Sequence, residues 1–130
     1  MIVVDASALL EVLLRTGKGG RIEARLLSGR DSLHAPHLVD VEVAQVLRRY
    51  AAAGELRPER GLEALTDLAD FPLQRYPHDL LLPRIWELHH NLTAYDAAYL
   101  ALAETLAAPL VTCDRRIAGA PGHEVEVQVF

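Results

Sequence analysis

The chain has 130 residues, 51% of them hydrophobic and 24% charged, with a net charge of −5. That size and mix suit one compact domain, residues 1–130, able to fold without a disulfide or a structural metal. The single cysteine, Cys113, excludes an internal disulfide and a thiolate zinc site, and the acidic balance disfavours a nucleic-acid surface built on bulk positive charge. With no signal-peptide pattern and no run of ~20 apolar residues, a cytoplasmic chain without a membrane segment is expected.

The elements follow in chain order. "IVVD" (2–5) opens with a short continuous apolar run, which suits a strand buried on both faces. "SALLEVLLR" (7–15) reads as a helix with Ser7 at its N-cap, and "TGKGG" (16–20) as the break after it. "GRIEARLLSG" (20–29) is a second helix closed by Gly29, and "SLHAP" (32–36) a strand ended by Pro36. A long helix spans 37–54, with Val39, Val43, Val46, Leu47 and Tyr50 at helical spacing and Gly54 at its end. Pro58 suits a first helical position, so 58–70 is the next helix. Residues 71–77 read as a strand, 79–91 and 93–107 as helices, "PLVTC" (109–113) as a strand, and the alternating "HEVEVQVF" (123–130) as a terminal strand. Repeated strand–helix–strand units predict an α/β fold, with helices on both faces of a parallel sheet.

In such sheets ligands bind beyond the carboxyl ends of the strands, which directs attention to four acids. Asp5 follows the first predicted strand and Asp114 follows "PLVTC". Asp96 lies in the first turn of the helix leading into that strand, and Glu42 on the border of the long helix's apolar face, beside Val39 and Val46. Each has an ordinary explanation. Thr93 and Asp96 have capping-box spacing; Asp5 suits a helix start; Asp114 before Arg115 suits a turn with an exposed ion pair; Glu42 can reach water from the helix border.

If the four converge, those explanations fall short. Two unit charges ~4 Å apart repel by about 4 kcal/mol at an effective dielectric of ~20, so a cluster takes up protons or binds a cation. Mg²⁺ and Mn²⁺ prefer oxygen donors and are held by a few carboxylates with water and substrate phosphate. There they activate water and stabilise charge on a phosphodiester. No Ser/His/Asp pattern, Gly-rich phosphate loop or CxxC offers a rival chemistry.

The stretches "VVDASALLEVLL", "VDVEVAQVL", "LTAYDAAYLALAE" and "LVTCDRRIA" (110–118), in this order and spacing, resemble PIN-domain ribonucleases, specifically the VapC-type toxins of bacterial and archaeal toxin–antitoxin pairs. The resemblance spans essentially the whole chain, and the first and third stretches carry most of it. It implies a PIN-like α/β/α fold, with a parallel sheet of about five strands, and a metal-dependent endoribonuclease that hydrolyses RNA phosphodiester bonds. It sets Asp5, Glu42, Asp96 and Asp114 at the family's acidic quartet, which binds Mg²⁺ or Mn²⁺. Asp5 and Asp96 would be the most direct ligands. Asp114 would be a ligand or would orient a second metal or its water, and Glu42 would help activate the attacking water. Ser7 and Thr112 match small hydroxyl positions beside the acids, and Arg115 a phosphate contact. The resemblance also implies a homodimer, inhibited by a small VapB-like antitoxin that lays a helix along a groove and sets a basic side chain in the acidic site. One departure is Gln45, where the family often has Asn; the amide is kept with a longer reach. Leu9, Leu10, Val12, Leu13 and Leu14 exceed what one helix face needs, and serve either the core or that groove or dimer contact.

Other residues read more plainly. Among the six histidines, His34 and His37 are separated by Pro36, and His89 and His90 are adjacent and cannot share a helix face; structural or surface roles are expected. Cys113 reads as a small buried strand residue, and Trp86 and Tyr99 as core aromatics. Lys18 beside "GKGG" is too isolated for a P-loop. A haloacid-dehalogenase-like phosphatase would need an acid where Ser7 stands. A receiver domain would need paired acids near the first strand and a late lysine; Glu11 lies too far into its helix, and no lysine follows Lys18. The remaining alternative, a catalytically inactive PIN-like module that only binds a partner, sits poorly with a complete acid quartet.

Overall fold

The structure is a computed structural model that describes residues 1–130. Its elements are β1 (Ile2–Val4), α1 (Ala6–Leu13), α2 (Gly17–Leu27), β2 (Leu33–Pro36), α3 (Leu38–Ala52), α4 (Pro58–Asp70), β3 (Leu73–Tyr76), a 3-10 turn (Asp79–Leu81), α5 (Leu82–Glu87), α6 (Ala94–Leu106), β4 (Leu110–Thr112), α7 (Arg115–Gly119) and β5 (Val127–Val129). The sheet runs β3-β2-β1-β4-β5, and every pairing is parallel. Helices cover both faces, so Ile2, Val3, Val4, Leu110 and Val111 are all buried. The strand order reverses at β1, with β2 and β3 built to one side and β4 and β5 to the other. The crevice beyond β1 and β4 is therefore the switch point of the sheet.

Three local readings are corrected. Asp5, not Ser7, caps α1: its Oδ1 accepts a hydrogen bond from the Ala8 N–H at 3.1 Å, and Ser7 lies inside the first turn. "GKGG" is the first turn of α2 rather than a break, because the Thr16 hydroxyl accepts from the Gly19 N–H at 2.9 Å and so caps it. A short helix, α7, intervenes between β4 and β5, and it lets β5 return parallel to β4. Its five residues bury only Ile117, too little to leave a periodic pattern.

The leucine-rich run of α1 belongs to the core. Leu9, Leu10, Val12 and Leu13 are buried, and Leu14 packs on the same cluster. Trp86 does not: it is 70% exposed and stacks on His89 with ring centroids 4.2 Å apart. The buried anchors of this segment are Leu81 and Leu88, on either side of α5, which itself buries no residue. No helix is long and apolar enough to cross a membrane.

Candidate active site

At the end of β1 the chain turns into α1, and the capping geometry turns the Asp5 carboxylate inward until it is only 5% exposed. A buried carboxylate needs donors, and Asp5 has three. Its Oδ1 accepts from the Ser7 hydroxyl at 2.6 Å and from the Ala8 N–H at 3.1 Å, and its Oδ2 accepts from the Thr112 hydroxyl at 2.5 Å. Both hydroxyls also accept in turn: Ser7 Oγ from the Cys113 N–H and Thr112 Oγ1 from the Asp114 N–H, each at 2.9 Å. Two small hydroxyls thus tie the carboxyl end of β1 to that of β4. Burial pushes the Asp5 carboxyl above its usual range, the three donors pull it down, and repulsion from Asp96 adds to the rise.

The other three acids line the same cavity, of about 680 Å³, with Asp5, and Glu11 of α1 lines it as a fifth. Glu42 reaches it from α3; burial raises its carboxyl, the Tyr99 hydroxyl lowers it, and Asp5 and Asp96 repel it. Asp96 sits in the first turn of α6, whose N-cap Thr93 accepts from the Asp96 N–H at 3.2 Å. The capping role therefore belongs to Thr93. Burial and then repulsion from Asp114 raise the Asp96 carboxyl, against Thr93 and Arg116. Asp114 is the exception. Arg116 donates to both its carboxylate oxygens, at 3.1 and 2.7 Å, and holds it below the usual range.

The four acids share one cavity without closing on a point: no three His, Cys, Asp or Glu side chains form a ready cation cage. Asp5 already spends three acceptor positions on protein donors, and Asp114 faces Arg116. The donor set is nonetheless all oxygen and mostly unneutralised, which fits a hard divalent cation rather than zinc or copper. Arg115, expected at phosphate, is exposed at the start of α7 and does not line the cavity; its neighbour Arg116 makes the ion pair.

Other lining residues were not foreseen. Cys113 is half-buried at the cavity wall rather than inside a strand, and burial raises its thiol. Arg49, two turns beyond Glu42 on α3, is the one cation in the lining, and Gln45 stands between them. Tyr99 is 2% exposed, as a core aromatic should be, yet its hydroxyl donates to Glu42 Oε1 at 2.6 Å. Its position three residues after Asp96, on the same helix face, was the available signal.

The histidines hold the scaffold. His34 bonds the Ser32 and Tyr76 hydroxyls, each at 2.6 Å, and His78 Nε2 accepts from the Leu38 N–H at 2.9 Å. A larger cavity, about 830 Å³, lies at the amino ends of β4 and β5. The Arg84–Glu104 ion pair walls it, and it holds none of the four acids.

Comparison with known proteins places this arrangement. The family model for the PIN domain matches residues 2–122. The VapC ribonuclease Mb0985 of Mycobacterium bovis is 49% identical over 117 residues, covering 90% of this chain and 88% of that one. The structure of PAE2754 from Pyrobaculum aerophilum superposes with a TM-score of 0.71 at 26% identity, over 97% of this chain and 81% of that one. VapBC2 from Rickettsia felis, solved bound to a DNA fragment from its promoter, shares the fold with a TM-score of 0.69 at 13% identity, over 98% of each chain. Sheet order, an acid-lined crevice at the switch point, and identity sustained over nine-tenths of the chain agree: this chain belongs to the PIN-domain family, among the VapC ribonucleases.

Proposed function

We propose that this chain is a single-domain endoribonuclease, the toxin of a toxin–antitoxin pair, that hydrolyses RNA phosphodiester bonds with Mg²⁺ or Mn²⁺ held by its acidic cavity in the cytoplasm. One observation carries the reading: Asp5, Glu42, Asp96 and Asp114, with Glu11 beside them, line the crevice at the carboxyl edge of the sheet, and the first three are pushed toward protonation by burial and by neighbouring acids. A bound divalent cation supplies Lewis acidity and acidifies water there.

The chain's own residues do the rest. Asp5 and Asp96 would hold the cation most directly, with the Glu42 carboxylate adding to the site's affinity for it and Asp114 as a further ligand once freed from Arg116. Glu42, which lines the cavity, takes the proton of the attacking water at Oε2, an oxygen that is solvent-accessible and makes no hydrogen bond within the protein. Ser7 and Thr112 orient Asp5. Arg115, exposed beside Asp114, contacts substrate phosphate from the rim.

A cognate VapB-like antitoxin fits the same cavity, whose eight hydrophobic lining residues surround the acids and suit an apolar helix carrying a basic side chain. The relation to VapBC2 of Rickettsia felis supports such a partner. Leu80, Leu82 and Trp86, exposed at 82, 56 and 70% within one short segment, are apolar side chains that a homodimer contact would cover.

The test is cleavage of total RNA by the antitoxin-free protein with Mg²⁺ or Mn²⁺, then with EDTA, beside Asp96→Asn. Discrete metal-dependent cuts that vanish in the variant are expected. Cuts that persist in EDTA or in Asp96→Asn would refute the reading.

A further inference from the structure

Resting on the nuclease reading above, we propose that Tyr99 is a positioning residue of this active site: its hydroxyl holds Oε1 of Glu42 at 2.6 Å and leaves Oε2, on a side chain that lines the cavity, solvent-accessible and free of protein hydrogen bonds. The argument begins with what the two side chains are. A glutamate has three rotatable bonds and, at the border of an α-helix, no steric reason to keep one rotamer. Here it also stands among like charges, since Asp5 and Asp96 both repel it. Left alone, Glu42 would swing toward solvent and away from the other acids. Tyr99 is its opposite: the ring is 2% exposed, packed in the main core cluster, and cannot follow such a swing.

The donor is also matched to its task. A buried phenol with a carboxylate partner donates one short bond, and burial and the Glu42 charge both hold its proton in place. Tyr99 belongs to α6, one turn beyond Asp96, whereas Glu42 belongs to α3. The bond therefore fixes the spacing between two helices that each carry one acid of the cavity. An ordinary buried tyrosine meets a backbone carbonyl or water. This one meets the only acid of the four whose second oxygen has been assigned the proton-accepting role.

The experiment is a double-mutant cycle on the full chain with Tyr99→Phe, Glu42→Ala and the double variant, each shown to melt cooperatively. Two readouts are taken: Mn²⁺ affinity by calorimetry, and kcat and KM on an RNA fragment that the wild type cuts. Tyr99→Phe keeps the ring and removes only the hydroxyl. It should weaken Mn²⁺ binding by about 10-fold and lower kcat by about 10–100-fold, the range for groups that orient a ligand, with KM changed less than ~2-fold. In the Glu42→Ala background the same change should leave Mn²⁺ affinity unaltered. Equal losses of Mn²⁺ affinity in both backgrounds, no loss in either, or a wild type that binds no Mn²⁺ would overturn the proposal. Coupling in Mn²⁺ affinity without RNA cleavage by the wild type would support Tyr99 and refute the nuclease reading instead.

Discussion

Among the glycines, Gly19 makes the closest approach to another element, where α2 packs against Glu11 of α1. A Cβ built on Gly19 would stand 2.0 Å from the Glu11 carbonyl oxygen and 2.6 Å from its carbon. Ordinary C···O approach is ~3.3 Å, so Gly19→Ala must part the two helices by about 1.3 Å. Opening a packed surface by that much forfeits about half of its dispersion wells. Because the obstacle is backbone, the cost sits at the upper end of overpacking, ~3 kcal/mol. Helix propensity returns about 1 kcal/mol, leaving a net loss of about 2 kcal/mol. For 130 residues, at ~2.1 cal/mol/K of unfolding entropy each, that lowers Tm by about 7 °C. Gly20→Ala is the matched control: it is in the same helix, and nothing lies within 4 Å of its Cβ. It gains the propensity alone and should melt about 3–4 °C higher. Calorimetric melts of the pair decide the matter. If Gly19→Ala melts at or above wild type, the close helix crossing inferred here is wrong.

Thr112→Val keeps the shape of a fully buried side chain but removes the donor to Asp5 and the acceptor of the Asp114 N–H. A loss of about 1.5–3 kcal/mol is expected, seen as a Tm about 5–11 °C lower; an unchanged Tm would remove Thr112 from the support of Asp5. Asp96→Asn should raise Tm without added metal, since Asp96 is destabilised by burial and by Asp114, and Mg²⁺ should stabilise the wild type but not the variant. Its advantage should fade as pH falls through about 4, where the unfolded carboxylate takes a proton as well; an advantage that persists at pH 3 would point to another cause. His34 is held neutral, chiefly by burial, below its ordinary 6.5. Its contribution is complete above the unfolded value and is lost as pH falls toward the folded one. The Tm of wild type minus that of His34→Gln should therefore drop from pH 7.5 to 5.5, in a difference that cancels the acids; a flat difference would show that His34 gains its proton without cost.

Much of the fold could be read in the chain because its signals were local. Pro58 marked the start of α4 at the correct residue, and the apolar run of β1 announced burial on both faces. Those elements put Asp5 and Asp114 at the edge of the sheet by connectivity alone. What failed depended on contacts between elements. The glycines of "GKGG" looked like a turn, yet Gly19 is required by a neighbouring helix backbone. Asp114 and Arg115 are adjacent, but the capping geometry of α7 hands the ion pair to Arg116. Trp86 was assigned to the core by its type, whereas α5 is too short to bury it as well as be held by Leu81 and Leu88. Tyr99 fitted the core on periodicity; its place one turn after Asp96 set it near the site, but only the fold shows that its hydroxyl meets an acid 57 positions away.

The pairing of charges elsewhere in the molecule makes the cavity's imbalance meaningful. Asp40 takes both ends of the Arg75 guanidinium, at 2.7 and 2.9 Å, and Glu104 does the same with Arg84, at 2.7 and 2.9 Å. The fold thus neutralises half-exposed acids where it can. Around the cavity, Asp5, Glu42 and Asp96 have no cation bonded to them, nor has Glu11, although Arg49 lines the same cavity. Bonding that arginine to Glu42 or Asp96 would relieve the repulsion and fill the acceptors that a divalent cation would use. Stability and the proposed chemistry therefore pull in opposite directions at these positions, as they do at many catalytic centres. The chain's net charge of −5 then has a local reading. Part of the deficit sits in one crevice, where a divalent cation would offset it and present positive charge to a phosphodiester, so an acidic protein needs no basic surface to engage RNA at this point.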